Sequence, residues 1–143
     1  MRVISGGARG RKLKEVGGVD VRSTSDMVKE SVFNIVQFDI EGRRVLDLFA
    51  GTGQMGHEAL SRGAKSCVFV DPSPAAVRLI YENLKLCGFS DLTSVHKRDA
   101  FKILEGDTAF NLIFVNPHCN HYTFIETVAR DAPHGRLFHA LRL

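Results

Sequence analysis

The run Asp47-Leu48-Phe49-Ala50-Gly51-Thr52-Gly53-Gln54-Met55-Gly56 holds the residues best suited to chemistry. Gly51, Gly53 and Gly56 satisfy the G-x-G-x-x-G spacing, a weak signal for dinucleotides when it stands alone. A glycine-rich turn between a strand and a helix brings backbone amides close to a ligand, at the positive end of the helix dipole. Asp47, four residues before the first glycine, changes the reading. A carboxylate there repels an incoming pyrophosphate and suits a cation, such as the ammonium of a methionine moiety. That chemistry points to S-adenosylmethionine, with Asp47, Phe49, Gly51 and Gly53 as the residues around it.

Three further polar positions stand at the ends of apolar runs. Asp71 closes Val68-Phe69-Val70, about twenty residues beyond the glycine turn, where an acid can accept from both hydroxyls of a ribose. It also fits a solvated strand-end Asp that starts the Pro72-Ser73-Pro74 turn. Asp99-Ala100 could meet an adenine amino group, or Asp99 could simply cap a short helix. Asn116-Pro117 follows Leu112-Ile113-Phe114-Val115. Its amide and carbonyl oxygens suit an exocyclic amino group whose nitrogen lone pair must be oriented, although Asn-Pro also begins ordinary turns.

The elements that must position these residues alternate from residue 43 onward. Strand-like runs are Arg44–Leu48, Ser66–Val70, Leu92–Val95 and Phe110–Val115; helix-like runs are Gly56–Arg62, Pro74–Cys87 and a short one near Ala100–Leu104. Gly63 and Gly88 sit where helix C-terminal glycines belong. Val77, Ile80, Tyr81 and Leu84 form an apolar stripe. Such alternation predicts an α/β fold, a mainly parallel sheet with helices on both faces and ligands outside the carboxyl ends of the strands. Ahead of it, residues 2–14 read as a basic β-hairpin, with Val3-Ile4 and Lys12-Leu13 flanking Gly6-Gly7. Thr24 or Ser25 then caps a helix with Asp26 in its first turn and Val28, Val32, Ile35 and Val36 on one face.

Composition sets wide bounds. The 143 residues suit one core, 44% of them are hydrophobic, and the net charge is +3. Arg2, Arg9, Arg11, Lys12 and Lys14 precede the first acid, Glu15. Cys67, Cys87 and Cys119 are too widely and irregularly spaced for a disulfide framework or a zinc site. Nothing reads as a signal peptide or a bilayer-spanning run, so the expected compartment is the cytoplasm. His57, His118, His121, His134 and His139 lack metal-ligand spacing and read as scattered surface residues; no metal is expected.

The chain resembles the bacterial 16S ribosomal RNA guanine-N2 methyltransferases of the RsmD type. Four stretches carry the likeness: Arg2–Gly6 with Arg9–Leu13; Arg22–Asp26 with Val28-Lys29-Glu30 and Phe33-Asn34; Val45–Gly56 with Glu58–Gly63; and Asp99-Ala100 with Asp107–Pro117. The resemblance implies a Rossmann-like class I S-adenosylmethionine-dependent methyltransferase that methylates the exocyclic N2 of a guanine in small-subunit ribosomal RNA. It assigns the methionine part of the cofactor to Asp47, Gly51 and Gly53, the ribose to Asp71, and the adenine to Asp99 with Ala100. The target amino group falls to Asn116 and Pro117. Arg2, Arg9, Arg11, Lys12, Lys14, Arg22 and Lys29 would grip RNA phosphates, and the partner is ribosomal RNA or the assembling small subunit. Two parts follow: a basic RNA-binding arm over 1–20 and a methyltransferase domain over 21–143.

Several positions depart from the family's pattern. The fourth strand leads into Asn116-Pro117-His118-Cys119, without the usual second proline and the aromatic that stacks on a flipped base. Such stacking is worth ~1–3 kcal/mol, so impaired activity is expected unless Tyr122 or Phe124 substitutes. Met27 stands where a basic residue is usual, Ser23 where proline is, and His57 where an apolar residue is. Only 26 residues follow Pro117, enough for a helix over Tyr122–Arg130 and one strand over Leu137–Leu143. The last strands of the fold would then be lacking, leaving a sheet edge open to self-association. The alternatives are a catalytically inactive remnant that binds cofactor or RNA, and a nucleotide-dependent oxidoreductase. Asp47, Asn116-Pro117 and the basic arm weigh against the second.

Overall fold

The structure, a computed structural model, describes residues 1–15, 26–98 and 110–115, together with the backbone of strand 137–140. After the N-terminal hairpin come α1 (Asp26–Val36), β1 (Arg44–Leu48), α2 (Gln54–Ser61), β2 (Ser66–Val70) and α3 (Pro74–Cys87). A 3-10 turn, Ser90–Leu92, leads to β3 (Thr93–His96), followed by β4 (Leu112–Val115) and β5 (Leu137–Ala140). The expected helices near Ala100–Leu104 and Tyr122–Arg130, and the cap at Thr24 or Ser25, lie outside the described residues.

The sheet is parallel throughout, in the order β3-β2-β1-β4-β5. Strand order reverses direction between β1 and β4, the crevice where ligands of open α/β sheets bind. Register aligns the carboxyl ends: Leu48 pairs with Val70 and Val115, and Val70 pairs with His96. The loops that follow β1 and β2 therefore leave from one edge of the sheet.

Alternation along the strands separates two apolar layers. On one face Val45, Cys67, Phe69, Leu112 and Phe114 pack with Val32, Phe33 and Val36 of α1, Met55, Ala59 and Leu60 of α2, and Ile80 and Leu84 of α3. The other face carries Leu46, Leu48, Val70, Ile113 and Val115, equally buried. Among the described residues all three helices belong to the first layer.

The helices begin and end for local reasons. In α3, Ser73 Oγ accepts from Ala76 N–H, Pro74 takes the first turn, and Gly88 closes the helix in the left-handed region. Its buried face is Ala76, Leu79, Ile80, Asn83 and Leu84, so the expected stripe is corrected at Tyr81, which is half exposed. In α1 the stripe is corrected at Ile35: that side chain faces solvent, and Phe33 is buried instead. Val32, Phe33 and Val36 set the core face, and Ile35 lies roughly 100° from the centre of that face around a helix of 3.6 residues per turn.

The basic arm is a docked hairpin. Val3 N–H donates to Arg11 C=O, Gly10 N–H to Val3 C=O and Leu13 N–H to Met1 C=O, so the turn is wider than Gly6-Gly7 alone. Val3, Ala8 and Leu13 are buried against Met1, Cys87 and Phe89. Ile4 and Ser5 N–H donate to the Glu58 carboxylate at 2.9 and 3.1 Å, and Ala8 N–H donates to Ser61 Oγ at 3.0 Å. Gly6 lies so close to the Ser61 carbonyl that an added Cβ would overlap it. Both Glu58 and Ser61 belong to α2.

Glu58 is fully buried and also meets Arg62 Nε at 3.0 Å and Lys29 Nζ at 3.6 Å. The Arg62 guanidinium lies over the Phe33 ring, 4.8 Å from its centroid. Lys29 donates to the Arg2 carbonyl and has no exposed surface, which corrects its expected contact with phosphate. Its ammonium is spent inside the fold, where burial pushes its pKa below the ordinary value against the pull of Glu58 and Asp26. Removing the carboxylate would strand two cations and two amides. Glu58→Ala should therefore lose about 3–5 kcal/mol in urea unfolding, the scale for a broken buried pair. A loss under about 1 kcal/mol, the scale of exposed pairs, would show that Glu58 is solvated.

Candidate functional site

The glycine turn follows β1 directly and is held from two sides. Asp47 is the fourth of the five residues of β1, beside Phe69 and Phe114, and its Oδ2 accepts from Gly56 N–H at 3.0 Å. Asp71, just past β2, accepts from Gly51 N–H at 2.9 Å through Oδ2 and from Ser73 N–H at 2.9 Å through Oδ1. Ala50 N–H donates to Val70 C=O, and Gly53 N–H to Ala50 C=O. The turn is thus tied to β2 and to its own helix before any ligand arrives.

This changes the role of the glycines. The Gly51 and Gly53 amides, expected to meet the ligand, are already paired, Gly51 with Asp71 and Gly53 with Ala50. Phe49 has φ 56° and Gly53 φ 78°, both left-handed. At Gly53 an added Cβ would stand 3.0 Å from the His57 ring and 3.2 Å from Ile80 Cγ1. Gly53 serves backbone conformation and close packing.

His57 corrects the expectation of a surface histidine. It is fully buried beside Phe69, with ring centroids 5.2 Å apart. Its Nδ1 lies 2.6 Å from the Gly53 carbonyl. A carbonyl only accepts, so Nδ1 carries the proton and Nε2 is a bare nitrogen, buried without a partner among the described residues. Burial pushes the imidazole pKa down to about 4, against the hydrogen bond to Gly53. The ring is therefore neutral near pH 7 and braces the turn.

Asp47 and Asp71 are both buried yet differently placed. Burial, with the charge of Asp71, pushes the Asp47 carboxyl up to about 8 despite the Gly56 amide. Such a carboxyl favours a ligand that brings positive charge. Each Asp71 oxygen has one amide partner here and keeps a lone pair for a hydroxyl. These two residues fit the cofactor named from the sequence: one faces a need for a cation, and the other can still accept.

Arg2, Arg9, Arg11, Lys12 and Lys14 are exposed on the arm, which bonds to the helix leaving the turn. Arg2 lies 3.6 Å from Asp26, and Lys14 lies 3.0 Å from Glu82. Exposed pairs of this kind cost little to exchange for another anion. Asp99, Ala100, Asn116, Pro117 and Arg22 lie outside the described residues. Among the described residues no group of His, Cys, Asp and Glu is arranged to hold a metal, and no helix is long and apolar enough to cross a membrane. Glu58, Ser61, His57 and Asn83 were missed as site-building residues. Glu58, Ser61 and Asn83 meet partners in the arm 53 to 69 residues away, so local spacing carried no signal for them.

The raised Asp47 pKa has a stability consequence. Stability from the protonated form is complete below the ordinary value of 3.8 and is lost as pH rises through about 8. Asp47→Asn keeps an acceptor for Gly56 and cannot ionise. Thermal melts should therefore show little difference near pH 4 and a higher Tm for the variant at pH 9. Equal melting curves at pH 9 would mean that Asp47 ionises without cost.

Comparison with known proteins places these features in a lineage. The conserved hypothetical protein 95 family matches residues 1–137. YlbH of Bacillus subtilis is 45% identical over 121 residues, covering 82% of this chain and 66% of that protein. Ribosomal RNA small subunit methyltransferase D of Escherichia coli is 31% identical over 128 residues, covering 90% of this chain and 65% of that enzyme. The chain thus spans just under two thirds of the length of these relatives. The solved structure of yhhF from Escherichia coli superposes with a TM-score of 0.80 at 31% identity, over 96% of this chain and 74% of that one. The chain belongs to the conserved hypothetical protein 95 family, the RsmD type, and has its Rossmann-like methyltransferase fold.

Proposed function

We propose that the protein methylates the exocyclic N2 of a guanine in small-subunit ribosomal RNA, using S-adenosylmethionine. One observation carries this reading. The turn braced by Asp47 and Asp71 opens α2, and the same helix holds an exposed arm with five cations. A cofactor site and a phosphate-gripping surface are thus built on one element. The relatives named as ribosomal RNA methyltransferases support the substrate class.

In this reading Asp47 holds the ammonium of the cofactor and Asp71 its ribose, while Asp99 and Ala100 meet the adenine. Bound S-adenosylmethionine supplies a methyl group activated by positively charged sulfur. Asn116 and Pro117 follow β4, whose end lies in register beside β1. Their oxygens hold the guanine amino group and orient its lone pair. Positioning two reactants in a site that excludes water supplies most of the acceleration. The arm gives orientation and affinity through phosphates, the substrate being ribosomal RNA or an assembling subunit. His118 and Cys119, in place of a stacking aromatic, lower the rate relative to a chain with tyrosine there.

Calorimetry with S-adenosylhomocysteine should give saturable binding, and NAD should give none. Because the ammonium needs ionised Asp47, affinity should rise with pH up to about 8, by at most about tenfold per unit, and then level. A pH-independent affinity would remove Asp47 from the ammonium site. Reversing Arg9 and Arg11 to Glu should weaken binding to any RNA and flatten its salt dependence by about one counterion per lost phosphate contact. An unchanged salt slope would dismiss the arm as an RNA surface. Transfer of a labelled methyl group to guanine N2, identified by nucleoside mass spectrometry, decides the reaction.

A further inference from the structure

Asn83 lies on the buried face of α3 beside Leu79, Ile80 and Leu84, with no exposed surface. A residue whose only task was packing would be apolar there. Its amide is instead used on every side. Oδ1 accepts from Lys14 N–H at 2.7 Å, and Nδ2 donates to Lys14 C=O at 3.1 Å and to Thr52 C=O at 3.3 Å. Thr52 is the middle of the glycine turn, and Lys14 is the root of the basic arm.

A second contact joins the same two places. Thr52 Oγ1 donates to Met1 Sδ at 3.2 Å. Met1 C=O accepts from Leu13 N–H, and the Met1 ammonium meets Glu15 at 2.8 Å. Both ends of the hairpin therefore touch Thr52 or the amide that holds it. Two independent contacts therefore link the turn to the root of the arm.

We propose that Asn83 is a positioning residue that couples the glycine turn to the basic arm, so that cofactor and RNA each bind more tightly in the other's presence. This rests on the function proposed above. The state with Lys14 and Thr52 both locked on Asn83 is the one that each ligand selects. Coupling between binding sites is reciprocal and commonly about 5- to 150-fold.

The test is calorimetry of the full chain with S-adenosylhomocysteine, alone and saturated with a stem-loop of small-subunit ribosomal RNA. The wild-type affinity should rise at least about fivefold with RNA. Asn83→Asp keeps the acceptor for Lys14 N–H but turns a carboxylate oxygen toward two carbonyls. In this variant both ligands should bind and the ratio should fall to one. A wild-type ratio of one, or an unchanged ratio in Asn83→Asp, overturns the coupling and leaves the function standing. Failure of the wild type to bind S-adenosylhomocysteine at all would instead sink the function. Should the variant not fold, hydrogen exchange of the wild type decides. The Lys14 amide should exchange several-fold more slowly with S-adenosylhomocysteine bound, and an unchanged rate overturns the proposal.

Discussion

The buried carboxylate of Glu58 is the contact on which the arrangement depends. An acid with no exposed surface is tolerable only when its charge and lone pairs are met. Here they are met by Lys29 from α1, Arg62 just past the end of α2, and the amides of Ile4 and Ser5 in the arm. Three parts of the chain far apart in sequence converge on one group. The arm's attachment and the packing of α1 on α2 are therefore one electrostatic event. Lys29 extends it through the Arg2 carbonyl, while Arg62 extends it onto Phe33.

That attachment gives the site its geometry. The start of α2 is the glycine turn, tied to the sheet by Asp47 and Asp71, and its later turns carry the arm through Glu58 and Ser61. One short helix thus fixes the spacing between a ligand turn and a cationic surface. The glycines contribute by shape, since the Gly51 amide is already paired with Asp71 and the Gly53 amide with Ala50. His57 adds a brace on Gly53, and Asn83 adds another on Thr52. Apolar burial raises the Asp47 pKa, and two backbone amides, of Gly51 and Ser73, donate to Asp71.

The legibility of these features followed the range of the forces behind them. The bounds of α3 agree with the sequence reading at both ends, because Ser73, Pro74 and Gly88 act on their own neighbours. The bounds of β1 and β2 agree as well, as expected of short apolar runs between turn residues. Lys29, Ile35, Tyr81 and His57 were misplaced for a common reason. Helical spacing shows which residues share a face, but not what that face meets. Lys29 reads as a solvated cation until Glu58 arrives from α2, and His57 reads as polar until Phe69 closes over it.

By itself the sequence determined the class of fold, the alternation that builds it, the glycine turn and the acids Asp47 and Asp71 that stand at strand ends. These rest on local propensity, capping and a carboxylate's preference for cations, which act within a few residues. The tertiary structure alone decided that Glu58, Ser61 and Asn83 join the arm to that turn, and that Lys29 is structural. Those outcomes depend on partners 27 to 69 residues away in the chain, brought together only when a buried charge and a buried amide require every lone pair and proton to be met.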